Sequence, residues 1–203
     1  MWCVFPCQNL AQCIIVVVRL LLASASPRRA ELLASAGFVF EVEPTEIDER
    51  PLPGETPSAC VLRLADAKAA IVAGRHREAV VLAADTVVVI DGVMLGKPAD
   101  DRDAAGMLAR LSGKNHEVLT GVAVRADGGQ VSAVERTVVL FQRLAPEEIA
   151  WYVASGEPRG KAGAYAVQGL ASRFVERVEG SYSNVVGLPV ARVYQLLRQI
   201  GAV

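Results

Sequence analysis

Histidine is nearly absent from this 203-residue chain, with two copies, and aromatic residues make up 5% of it. Cysteine does not compensate. Cys3, Cys7 and Cys13 crowd the first 13 residues, Cys60 stands alone, and no C-x-x-C pair occurs. So sparse a supply of soft ligands speaks against a zinc site and against a disulfide framework; reduced thiols in a cytosolic protein are the simplest account. An excess of either charge is also missing. The 21 basic and 22 acidic residues leave a net charge of −1, which does not suit a general nucleic-acid binder. Any anion bound here must be held by local arginines and lysines. The chain carries no G-x-G-x-x-G, H-E-x-x-H or G-x-S-x-G. The stretch Gly156-Glu157-Pro158-Arg159-Gly160-Lys161-Ala162 resembles a P-loop, but it is one residue short and has Ala where Ser or Thr would meet Mg²⁺. Of the two histidines, His76 falls in a charged helix end and reads as solvated, while His116 opens a strand and reads as structural.

Long apolar runs are few. Residues 13–23 form one, but no positive charge precedes it, Arg19 interrupts it, and it is too short to span a bilayer. Residues 16–23 instead read as a buried first strand. Residues 1–13 read as a leader, either a disordered tail or a start codon set too early, ahead of one domain at 14–203. No repeat, low-complexity tract or linker divides that domain.

What is present is a core of Val, Leu and Ala, with 52% apolar residues, as buried strands of an α/β protein require. Helix periodicity marks 27–36, closed by Gly37, then 58–74, 101–111, 146–154 with Pro at its start, and 189–200. Strand patterns mark 38–42, 80–90, 93–95 after the turn Asp91-Gly92, 117–125, 131–141 after Asp127-Gly128-Gly129, and 174–178. Residues 43–57 form a polar loop and 156–169 a glycine-rich one. Hairpins beside strand–helix units imply a mixed sheet.

Four segments carry groups suited to chemistry. In Ser24-Ala25-Ser26-Pro27-Arg28-Arg29 a strand feeds a turn and a helix start. Helix N-terminal N–H groups and Arg forks both suit phosphate, although an N-cap followed by two solvated arginines fits the same residues. Asp85 interrupts the apolar run 80–90. Burying an unpaired carboxylate costs several kcal/mol, so it needs a partner, a metal or a cleft. Asp48-Glu49, in the polar loop, reads as solvated or, with Asp85, as oxygen ligands for Mg²⁺ or Mn²⁺. Lys68 on the second helix and Lys97 just beyond the 93–95 strand read as surface charges or as phosphate contacts.

Together these segments resemble the Maf family of nucleoside triphosphate pyrophosphatases. The matching residues are Leu22-Ala23-Ser24-Ala25-Ser26-Pro27-Arg28-Arg29, Ile47-Asp48-Glu49, Ala67-Lys68, Ala84-Asp85-Thr86, Gly96-Lys97-Pro98, Thr120-Gly121-Val122, Lys161-Ala162-Gly163-Ala164-Tyr165 with Gln168-Gly169, and Val186-Gly187-Leu188-Pro189, in family order over about 20–200. The resemblance implies an elongated mixed β-sheet flanked by helices, with two lobes around a central cleft. It implies cleavage of a nucleoside triphosphate between its α and β phosphates with a divalent cation, Mg²⁺ or Mn²⁺. Asp85 takes the position of the general base. Arg28, Arg29, Lys68 and Lys97 take those that hold the triphosphate, Ser24 that of the pocket edge, and Glu49, with Asp85, that of the metal carboxylates. The run 161–169 resembles the subgroup acting on dTTP and UTP, in which the positions of Arg29, Thr86 and Gln168 are linked to base choice. Ala166 departs from the Gly common there. The same resemblance implies a cytoplasmic homodimer acting on free nucleotides, with no nucleic-acid or membrane partner. Two alternatives stay open: the same chemistry on another base, such as 7-methyl-GTP or a modified purine, and a non-catalytic nucleotide-binding regulator of septum formation.

Overall fold

A computed structural model describes residues 18–127 and 129–203. They build one seven-stranded mixed sheet with helices on both faces, as the sequence predicts. The leader 1–13 and the first residues of the expected first strand lie outside the described residues.

The chain enters through β1 (Leu20–Leu22), turns into α1 (Pro27–Ser35) and returns as β2 (Glu41–Val42). After the polar loop comes α2 (Pro57–Arg75), whose Thr56 hydroxyl caps Ala59 N and whose Pro57 occupies the first helical position, where its missing N–H costs nothing. The apolar run is one unbroken strand, β3 (Val80–Ile90), and it turns back as β4 (Val93–Leu95). Asp91 and Gly92 both have positive φ (51° and 75°) between the paired residues Ile90 and Val93, the two-residue turn that matches the twist of its strands. Then follow α3 (Asp101–Leu111), the long hairpin β5 (Asn115–Ala126) and β6 (Gly129–Phe141), α4 (Pro146–Ala154), β7 (Val175–Glu179), α5 (Tyr182–Val186) and α6 (Val190–Gln199). The expected strand at 38–42 shortens to two residues at its C-terminal end. Helix α5 has no counterpart in the sequence reading.

The strand order is β2-β1-β3-β5-β6-β7, with β4 also on β3. Strands β1 and β2 are parallel, as are β1 and β3; the remaining pairs are antiparallel. Because side chains alternate along β3, its odd residues face α2 and its even residues face α1 and α6. Val81 and Ala83 pack with Ala65, Ala69 and Val72; Leu82 and Ala84 pack with Leu33, Val193 and Leu197. A third core, under α3 and α4, gathers Ile90, Leu108, Leu111, Phe141 and Tyr152 at the far end of the sheet. Each fully buried Leu or Phe there contributes about 1.5–3 kcal/mol of transfer free energy.

One detail of this topology creates the site. Strand β5 pairs with β3 from Val81 to Val89. On the other edge β1 covers only 80–82 and β4 only 88–90, so among the described residues no strand pairs with that edge over 83–87. The sheet has a notch at its centre, and Asp85 and Thr86 lie in it.

Candidate active site

The notch opens into a cavity of about 760 Å³. All nine sequence-predicted site residues line it. Since Asp85 and Thr86 are consecutive on a strand, they project to opposite faces and serve two separate clusters.

On the α2 face, Lys68 Nζ donates to Asp85 Oδ1 and to Glu49 Oε1, each at 2.6 Å. Lys97 Nζ reaches Glu49 Oε2 at 3.2 Å. Lys68 is brought there by close packing. Gly121, paired with Asp85 across the sheet, lies so near α2 that a Cβ on it would sit 2.3 Å from the Val61 carbonyl oxygen. Lys68 is two helical turns beyond Val61 on the same face. The Asp85 side chain is 14% exposed, and its Oδ2 has no hydrogen bond among the described residues. One carboxylate oxygen is thus anchored and the other faces the cavity. Burial pushes the Glu49 carboxyl up, but the hydrogen bonds and charges of Lys68 and Lys97 outweigh it and hold the pKa below the usual value.

On the opposite face, Arg29 fills a socket of neutral acceptors. Nε donates to Gly187 O at 2.8 Å, Nη1 to Ala84 O at 2.8 Å and to Ser24 Oγ at 3.1 Å, and Nη2 to Thr86 Oγ1 at 3.0 Å. Ala84 O is a carbonyl of the notch that a neighbouring strand would otherwise have satisfied. Thr86 Oγ1 also lies 2.9 Å from Thr120 Oγ1. Burial lowers the pKa of the Arg29 guanidinium, opposed by the Asp85 charge. Four of its five N–H groups are engaged, so its expected grip on phosphate reduces to one free donor and its charge. Arg28 differs: it is partly exposed, and it makes no hydrogen bond or ion pair among the described residues. The reading of this turn as a capped helix with two solvated arginines fails, because Ser26 makes no side-chain cap and Arg29 is enclosed. The first-turn N–H groups of α1 lack a side-chain cap and sit beside Arg28 at the cavity, an arrangement suited to an anion.

Asp48 does not join the site. It turns outward to Arg50 at 2.6 Å, which holds its carboxyl down at about 2. His76, expected to be solvated, lies 3.1 Å from Glu43. His116 is structural, as expected: it is buried, and its Nε2 lies 2.9 Å from the Tyr165 hydroxyl. Lys161, like Arg50, is a lining cation that the sequence reading missed. Burial and the nearby Arg28 charge lower its pKa. The near-P-loop run that contains it was the signal, although the loop delivers the lysine without the P-loop fold. Gln168 is exposed on the rim, and its amide makes no hydrogen bond among the described residues.

Among the described residues no three His, Cys, Asp or Glu side chains converge on one point, and no helix is long and apolar enough to cross a membrane. Two carboxylates that share one ammonium do fit Mg²⁺ or Mn²⁺, which takes one or two carboxylates and completes its shell with substrate phosphates and water.

A mixed sheet notched at its centre, with cations and two carboxylates around the opening, defines an anion-handling α/β protein. The profile of the family described as "Maf-like protein" matches residues 19–200, and the chain belongs to that family. It is 55% identical over 187 residues to a protein of Anaeromyxobacter dehalogenans (strain 2CP-C) named dTTP/UTP pyrophosphatase, covering 90% of this chain and 94% of that one. A protein of the same name from Geobacter sulfurreducens is 52% identical over 186 residues, covering 91% and 97%. Among solved structures, that of a HAM1 protein from Coxiella burnetii is 14% identical, with a TM-score of 0.49 over 90% of this chain and 99% of that one.

Proposed function

We propose that the protein hydrolyses dTTP and UTP to the nucleoside monophosphate and pyrophosphate. The observation that carries this reading is the Asp85–Lys68–Glu49 cluster at the sheet notch, with one Asp85 oxygen anchored at 2.6 Å and the other open to the cavity. Relatives at about half identity, named for this activity, support it.

Phosphoanhydride hydrolysis needs charge stabilisation, positioning and an activated water more than covalent help. Arg28, Lys97, Lys161 and the first turn of α1 surround the volume a triphosphate would fill. Asp85 Oδ2 orients the attacking water and takes its proton, while Lys68 fixes the carboxylate through Oδ1. Glu49 and Asp85 would hold a Mg²⁺ or Mn²⁺ ion, which when bound supplies neutralising charge to the phosphates. At the rim the Gln168 amide offers a donor and an acceptor to the imide edge of thymine or uracil. The substrate is a free nucleotide, as expected for a chain of net charge −1 in which Arg28, Lys97 and Lys161 line one cavity.

A panel of nucleoside triphosphates assayed for pyrophosphate release, with Mg²⁺ and with Mn²⁺, tests this. UTP and dTTP should give the highest kcat/KM. A preference for 7-methyl-GTP or another purine nucleotide would overturn the base assignment, and no release from any nucleotide would favour a non-catalytic nucleotide-binding role.

A further inference from the structure

Among the residues that the segment between α4 and β7 brings to the cavity are Lys161 and Gln168, and one residue outside the cavity holds Lys161 and the neighbours of Gln168. That residue is Glu157. Its carboxylate accepts from Tyr152 Oη at 2.8 Å, from Leu170 N at 2.9 Å and from Ala171 N at 3.3 Å. Its main-chain carbonyl accepts from Lys161 Nζ. Tyr152 extends the anchor, since its hydroxyl accepts from Ala166 N at 3.2 Å. Tyr152 is fully buried against the third core, so the anchor rests on fixed packing. Backbone N–H groups of residues 166, 170 and 171 therefore hold the loop on both sides of Gln168.

Gly169 shows how closely the carboxylate is fitted. A Cβ there would lie 2.3 Å from Glu157 Oε2 and 2.6 Å from its carboxyl carbon. The φ of Gly169 is −105°, outside the left-handed region, and the space the carboxylate takes leaves no room for a side chain here.

We propose that Glu157 is a positioning residue for base selection: its carboxylate sets the 166–171 loop and through it the aim of the Gln168 amide. The proposal rests on the reading of Gln168 as the base-contacting group. The Asp85 chemistry lies on β3 and α2, which Glu157 does not touch, and Glu157 meets the phosphate cations only at Lys161, through a main-chain carbonyl that Glu157→Gln keeps. Loosening the loop should therefore weaken discrimination among bases and leave the chemical step nearly intact.

The test compares UTP with CTP, which presents an amino donor where uracil presents a carbonyl. It uses wild type, Glu157→Gln, Gly169→Ala, Gln168→Ala and the double variant Glu157→Ala/Gly169→Ala beside Glu157→Ala. Glu157→Gln and Gly169→Ala should raise KM for UTP and cut the UTP-to-CTP ratio of kcat/KM by about tenfold or more, with kcat within about threefold of wild type. Gly169→Ala displaces the carboxylate that Glu157→Ala removes, so the double variant should be no worse than Glu157→Ala alone. A ratio that collapses in Gln168→Ala but stays intact in Glu157→Gln and Gly169→Ala would overturn the positioning role. So would additive losses in the double variant, or a fall in kcat equal for both nucleotides. A ratio that stays intact in Gln168→Ala would overturn the base reading itself.

Discussion

Asp85 and Thr86 are neighbours in sequence with separate duties, because a strand sends consecutive side chains to opposite faces. The same alternation makes Arg29 part of the architecture: its guanidinium satisfies a carbonyl of the notch and a loop carbonyl at once, each at 2.8 Å. A Lys there could not span both acceptors, since an ammonium lacks the rigid fork. The residue types alone did not separate Arg29 from Arg28; the family resemblance did, by linking Arg29 also to base choice, but it gave no sign of the socket. Two adjacent arginines look alike until a distant Gly187 supplies the socket. His116 carries a prediction of its own. Burial lowers its pKa from 6.5 to about 4, so the folded protein keeps the ring neutral while the unfolded chain takes up a proton first. As pH falls from about 6.5 to about 4 the unfolded state binds more protons, and stability declines by up to about 3 kcal/mol from this group; below that window its contribution is flat. Denaturant unfolding of wild type and His116→Phe across pH 4–7 checks it. The variant should show the shallower slope. Equal slopes would mean that His116 is already charged when folded or reaches solvent.

At the scale of elements, the site depends on two short strands and one close approach. β1 and β4 each span three residues, and what they leave uncovered on β3 is the notch. The β4 hairpin was readable from Asp91-Gly92, but the β1 pairing was not: parallel neighbours separated by a helix, a strand and a second helix leave no local signal. The apolar run 80–90 emerged as one strand because β-branched residues flank the acid on one side and small and aliphatic ones on the other. Helix α5 escaped detection because its five residues are too few for a periodic pattern. Gly121 controls the close approach. Gly121→Ala must push the backbone of α2 away from the sheet, with the overpacking cost of about 1–3 kcal/mol. Lys68 would then leave its place at Asp85, and turnover should fall along with the unfolding midpoint. Unchanged turnover in a Gly121→Ala protein would show that α2 does not set the geometry of the base.

For the whole molecule, composition and periodicity were enough to give a mixed α/β sheet, and the family resemblance added the helices that flank it. The resemblance to the Maf family was enough to gather nine residues that do line one cavity. What stayed hidden was long-range convergence: which of four cations are already committed, that Asp48 turns away, and that Lys161 arrives on a loop 64 residues from any other candidate but Gln168. Such facts depend on side-chain pairing in the folded chain, and no spacing encodes them. The central claim is that Asp85, anchored through one oxygen and open through the other, is the base of a nucleotide pyrophosphatase. Asp85→Asn keeps the shape and removes the base. Its most direct test is the single-turnover rate of pyrophosphate release from UTP, with UTP affinity measured by calorimetry on the same protein. The account predicts a rate lower by about 10²–10⁴-fold with affinity largely kept. A rate near that of wild type would contradict it.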